Sequence, residues 1–233
     1  MKTETRDLIA KYCGYTSTGL GVVQYLPQIY LNFKNKSTTG VSFSSMIIKF
    51  IGFSFQFVNG YLANDPTFII AYAFFMLLES MILFYQFAMY RKDKKYAYFG
   101  LFAMPGVPYV LSILYPQAIP YFPIVKPLVQ IFSHIPQLQL CIKQQSVKGI
   151  SLTGQKLNFL NGLFGLMSLS LSSKDDATSS FISYFFSVLS AGSILLLAWL
   201  FKKNEEPIKS EKKPKKPKNN SDKKEEIERK KNN

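Results

Sequence analysis

Histidine, cysteine and acidic residues are scarce in this chain, and each shortage removes a class of chemistry. His134 is the only histidine, and Cys13 and Cys141 are the only cysteines. No Cys/His spacing suited to a metal is present, and no glycine-rich phosphate loop. No enzyme activity, resident metal or cofactor is therefore expected. The two cysteines fall towards opposite faces of the helical scheme below, so a disulfide between them is not expected either. Residues 1–11 are charged and lead into no short apolar core with a small-residue cleavage site, which argues against a cleavable signal. Acidic residues number 14 against 28 Lys and Arg, giving a formal net charge of +14.

Apolar runs separated by short polar loops fill most of the sequence. About 20 such residues cross a bilayer, and seven spans are expected at about 12–33, 42–62, 67–90, 96–114, 122–142, 151–171 and 178–201. One set of loops carries Lys34 and Lys36, then Arg91, Lys92, Lys94 and Lys95, then Lys143 and Lys148. The positive-inside rule makes that side cytosolic and the N-terminus luminal. Residues 202–233 hold 13 of the 28 basic residues and almost nothing apolar. They are expected to form a disordered cytosolic tail, with membrane lipid rather than nucleic acid as the partner of its charge.

The feature that organises the chain is a duplication. Pro27-Gln28 and Pro136-Gln137 lie 109 residues apart, and the same offset carries Gly40-x-Ser42 onto Gly149-x-Ser151. A doubled Pro-Gln-(x)11-Gly-x-Ser pattern at one offset marks an internal repeat. The expected fold is an all-α membrane protein of seven transmembrane helices. Three-helix repeats at 12–90 and 116–201 would flank a linker helix within 91–115, between a luminal N-terminus (1–11) and the tail (202–233). The spare helix in this 3+1+3 plan restores the direction of the second repeat, so the two copies run parallel.

Candidate working residues follow from their depth. Pro27 and Pro136 each interrupt helix hydrogen bonding, and Gln28 and Gln137 supply amides beside the interruption, which together suit a hinge. Gly40 and Gly149 end the loops, and Ser42 and Ser151 are placed to cap the next helices. Lys49 and Glu79 are charges within spans, where an ionisable group needs a partner or a wet cavity. Glu79 is too short to reach the surface, so pairing with Lys49, protonation and a cavity-lining place stay open. Lys156 is shallow enough to snorkel. Asn158 occupies the position in the second repeat that Lys49 holds in the first, so the repeats differ in charge there.

The doubled units resemble the PQ-loop repeat family, related in plan to the SWEET sugar transporters and the KDEL receptor. The resemblance covers about residues 12–201 and rests on Pro27, Gln28, Gly40, Ser42, Pro136, Gln137, Gly149 and Ser151. The family includes the lysosomal cystine transporter cystinosin, vacuolar cationic amino acid transporters, and the mannose-P-dolichol utilization defect 1 proteins. Cystinosin-like members carry a proton-coupling Asp where this chain has Asn158, which argues against proton-driven amino acid export. The terminal Lys230-Lys231-Asn232-Asn233 looks like a dilysine retrieval signal read by the COPI coat. Together these favour an endoplasmic reticulum protein of the mannose-P-dolichol utilization defect 1 group, implying a need for it when dolichol-phosphate sugars are used in glycan assembly. The alternative is a small-solute transporter, for amino acids, in a lysosomal or vacuolar membrane.

Overall fold

The structure, a computed structural model, describes residues 3–62, 67–91, 106–172 and 178–202. Helices α1 (Thr3–Val23), α2 (Leu26–Asn35), α3 (Phe43–Leu62) and α4 (Thr67–Arg91) carry the first copy of the repeat. Helix α5 (Gly106–Leu114) and a 3-10 turn (Pro116–Tyr121) lead into α6 (Phe122–Gln144), α7 (Leu152–Leu171) and α8 (Thr178–Phe201), which carry the second. No strand occurs among the described residues. Asn64-Asp65-Pro66, Lys174-Asp175-Asp176, most of the expected fourth span and nearly all of the tail, with Lys230 and Lys231, lie outside the described residues.

The helices pack in a repeated scheme. Helix α4 lies against α1, α2 and α3, and α8 lies against α6 and α7. The copies meet by exchange: α1 packs on α7, and α3 packs on α6. A contact and its swapped counterpart are what an approximate two-fold relation produces.

Polarity is distributed to match. Segments Ile70–Arg91 and Ser180–Phe201, within α4 and α8, are apolar and long enough to cross a bilayer by composition alone. Helices α1, α3, α6 and α7 are also at least 20 residues long, about 30 Å at 1.5 Å per residue. Their buried faces, however, carry Ser17, Ser45, Ser54, Ser133, Gln137 and Asn161. The outward faces are apolar, with Phe132, Leu196 and Trp199 all exposed, Trp199 to 70%. Apolar outside and polar within is the reverse of a water-soluble bundle.

The loops after α2 and α6 are near copies. Lys36 and Gln145 both take left-handed φ values of 49°, and both helix ends close with backbone bonds from this residue and the next, Ser37 or Ser146. This is the Schellman pattern that satisfies the last carbonyls of a helix. Gly40 and Gly149 follow at φ 93° and 89°, where a side chain is strained. Ser42 and Ser151 then cap α3 and α7, accepting from Ser45 N–H at 3.3 Å and Gly154 N–H at 3.1 Å.

The two loops touch. A Cβ on Gly40 would strike the Lys148 carbonyl, and one on Gly149 would strike the Thr39 carbonyl. The two equivalent loops therefore meet each other directly, main chain against main chain.

Candidate functional site

The Pro-Gln pairs are built into a reciprocal clasp. Gln28 Nε2 donates to the Gly149 carbonyl at 2.9 Å, and its Oε1 accepts from the Ser151 N–H at 2.7 Å. Gln137 repeats this in the other direction, donating to the Gly40 carbonyl at 2.8 Å and accepting from the Ser42 N–H at 2.8 Å. A side-chain amide offers a donor and an acceptor side by side for a neighbouring C=O and N–H. Each glutamine thus serves the opposite copy and does not repair the interruption beside it in its own helix.

The prolines act differently in the two copies. Pro27 is the second residue of α2, just beyond the break that ends α1 at Val23, whereas Pro136 lies inside the continuous helix α6. At the break, the buried Glu79 carboxyl group of α4 lies beside the Tyr25 backbone. Helix α8 contains no acidic residue.

Two chambers of about 40 Å³ each lie between the copies. The first adjoins the clasp and is lined by residues that include Gln28, Ser45, Gln137, Ser151 and Gln155. The second, further from the loops, is lined by residues that include Tyr72, Gln130, Asn161, Ser183 and Tyr184. Gln24, Tyr25, Lys49 and Asn158 line both, and so form the partition. Each chamber has room for water, which needs roughly 10–15 Å³ of such space.

Lys49 and Asn158, equivalent under the repeat, come together at this partition. Lys49 Nζ stands 5.5 Å from the centre of the Tyr25 ring. Asn158 Oδ1 accepts from Ser187 Oγ at 2.6 Å. Glu79 is buried, and no ion pair joins it to Lys49 among the described residues; its Oε2 has no hydrogen-bond partner. Lys156 is exposed at the start of α7. His134 is buried, with Nε2 3.1 Å from Gln130 Nε2 and Nδ1 unpartnered.

Several lining residues had no place in the sequence reading. Gln24 and Gln155 each bury an Oε1 with no hydrogen-bond partner, and Gln24 itself is 8% exposed. Behind Gln28 runs a polar chain: Gln28 Nε2 to Asn32 Oδ1 at 2.8 Å, Asn32 Nδ2 to Gln86 Oε1 at 2.9 Å, and Gln86 Nε2 to the Ile29 carbonyl at 2.9 Å. The signal that could have found them is an amide inside an apolar run, the same signal that drew attention to Gln28.

A duplicated helical bundle, apolar outside, with a polar interface between the copies, defines a class of membrane protein. The chain belongs to the PQ-loop family: the model for "PQ loop repeat" matches residues 9–69 and 118–178, again 109 apart. Among curated proteins it is similar to a cystinosin homolog of Dictyostelium discoideum, 26% identical over 104 residues, which are 40% of this chain and 37% of that protein. It is also similar to cystinosin of Bos taurus, 29% identical over 93 residues, which are 35% of this chain and 25% of that protein. The matched segment thus spans well under half of either relative. Both are cystinosins and not members of the mannose-P-dolichol utilization defect 1 group favoured from the sequence, so the endoplasmic reticulum reading and the dolichol-linked role draw no support from them.

Proposed function

We propose that this protein is a small-solute transporter of a lysosomal or vacuolar membrane, with seven spans in the 3+1+3 plan and amino acids as the first class to test. One observation carries the reading: the interface between the copies encloses polar side chains that the protein leaves unsatisfied. Unpaired buried polar atoms are destabilising, by roughly 1–3 kcal/mol each. Gln24 Oε1 and Gln155 Oε1 are poised for a guest or for the water it displaces. The likeness to two cystinosins points the same way. On this reading, passage of a solute through the chambers is driven by a rocking of the two copies about their interface.

The test is counterflow into proteoliposomes holding the purified full chain, using radiolabelled cystine and the standard amino acids. Saturable, substrate-dependent exchange is expected for at least one. Empty-vesicle rates throughout the panel would overturn the proposal. Imaging of the tagged protein should place it in an acidic compartment; steady residence in the endoplasmic reticulum would instead favour the dolichol-linked reading.

A further inference from the structure

Lys49 is a cation with no counter-ion among the described residues. Among the described residues the acids are Glu4 and Asp7 at the start of α1, and Glu79. No acid lines either chamber. Glu79 is buried and makes no ion pair with Lys49 among the described residues. The groups around Lys49 are the Tyr25 ring at 5.5 Å, His134 within electrostatic reach, and the chamber amides. None carries negative charge to offset an ammonium group. Lys49 lies six residues into α3, about 9 Å along its axis, and it forms part of the wall between the two chambers.

A cation held there is unfavourable unless something supplies the opposite charge. The ring face of Tyr25 offers partial compensation. Resting on the transporter reading, we infer that the solute itself is the counter-ion: it carries a carboxylate or similar anionic group that docks on Lys49, and Lys49 sets that specificity. The neighbouring Gln24 Oε1 and Gln155 Oε1, both buried without partners, accept hydrogen bonds from donors elsewhere on the same molecule. The repeat equivalent of Lys49 is neutral Asn158, already engaged by Ser187. The site is therefore one-sided, and the solute's anionic end is held by the first copy.

Matched pairs of an acid and its amide test this without altering the protein: cystine and cystine bis-amide, alanine and alaninamide, lactate and lactamide. Equilibrium binding to purified protein and counterflow in vesicles are both measured. Wild type should prefer the acid of at least one pair by roughly 10- to 100-fold, the range for losing a hydrogen bond to a charged group. Lys49→Gln should erase the preference, and Lys49→Arg should retain most of it, each variant being checked for monodisperse elution. Transport of acid and amide alike, undisturbed by Lys49→Gln, would overturn the assignment and leave the transporter standing. Binding with the acid preference but no counterflow would uphold the assignment and overturn the transporter.

Discussion

The two copies of the repeat share a clasp and differ in what stands behind it. In the first copy Gln28 is backed by Asn32, which is tied in turn to Gln86 on α4. In the second, Gln137 is backed by Cys141, with Nε2 3.7 Å from Sγ, and Cys141 sits in an apolar cluster with Val147, Ile150, Ile194 and Phe201. Asn32 and Cys141 are equivalent under the 109-residue offset. The first copy also breaks its leading helix, with Glu79 beside the break, while the second keeps its helix whole. Geometry at the contact between copies has thus been kept, and chemistry one layer away has diverged. The layer that diverged includes Lys49 and Asn158, where the chambers acquire their charge.

Four sets of substitutions break or sharpen this comparison. The largest effect belongs to the shared part. Gly40→Ala or Gly149→Ala adds strain at positive φ, on the order of 1–3 kcal/mol, and drives a methyl into the other copy's backbone. Both should abolish monodisperse protein in size-exclusion chromatography, and to the same degree. A large inequality would mean that the loops are not equivalent. Next, Gln28→Ala and Gln137→Ala each strand a buried N–H and a carbonyl, and each should lower thermal stability in detergent by roughly 2–4 kcal/mol while leaving membrane insertion intact. Gln28→Ala should be the worse of the two, because Asn32 and Gln86 lose their anchor with it.

Exchange of the backing residues probes the divergence itself. Asn32→Cys should cost about 1–3 kcal/mol by orphaning Gln86 Oε1, and Cys141→Asn a similar amount by placing an amide among aliphatic side chains. The double exchange should not restore stability, since Gln86 has no counterpart in the apolar cluster. Full recovery in a melting experiment would show the two environments to be interchangeable. The smallest change is expected from Glu79→Gln, which keeps a side-chain oxygen beside the Tyr25 backbone. It should shift melting by less than about 1 kcal/mol, whereas Glu79→Leu should shift it by about 1–3 kcal/mol.

What could be read from the sequence was whatever rests on local geometry. Glycine at positive φ, serine at a helix start and proline beside an interruption leave marks at fixed spacing, and doubling at one offset makes chance agreement improbable. The direction of the side-chain amides left no such mark. Gln28 bonds to residues 121 and 123 positions away, and nothing local distinguishes that from an amide satisfying its own helix. The first expected span began at residue 12, but α1 begins at Thr3. Its amphiphilic first turns hold Arg6, whose Nε donates to the Leu171 carbonyl at 2.8 Å, an interaction only tertiary structure provides. Lys49 and Glu79 stood out in the sequence as charges within apolar runs, but no window of sequence shows that the Tyr25 ring faces Lys49.

The contact of Gly40 with Gly149 has a mechanical corollary. Main chain meets main chain there, with no side chain between to yield, so the juncture behaves as a fulcrum. While the glutamines hold it shut, the longest travel available to the helices is at their far tips, about 30 Å off. A tilt of roughly 10° moves a tip by about 5 Å, enough to admit a file of water to the deeper chamber. On the transport reading, the mouth farther from this juncture is the one that opens while the clasp is closed.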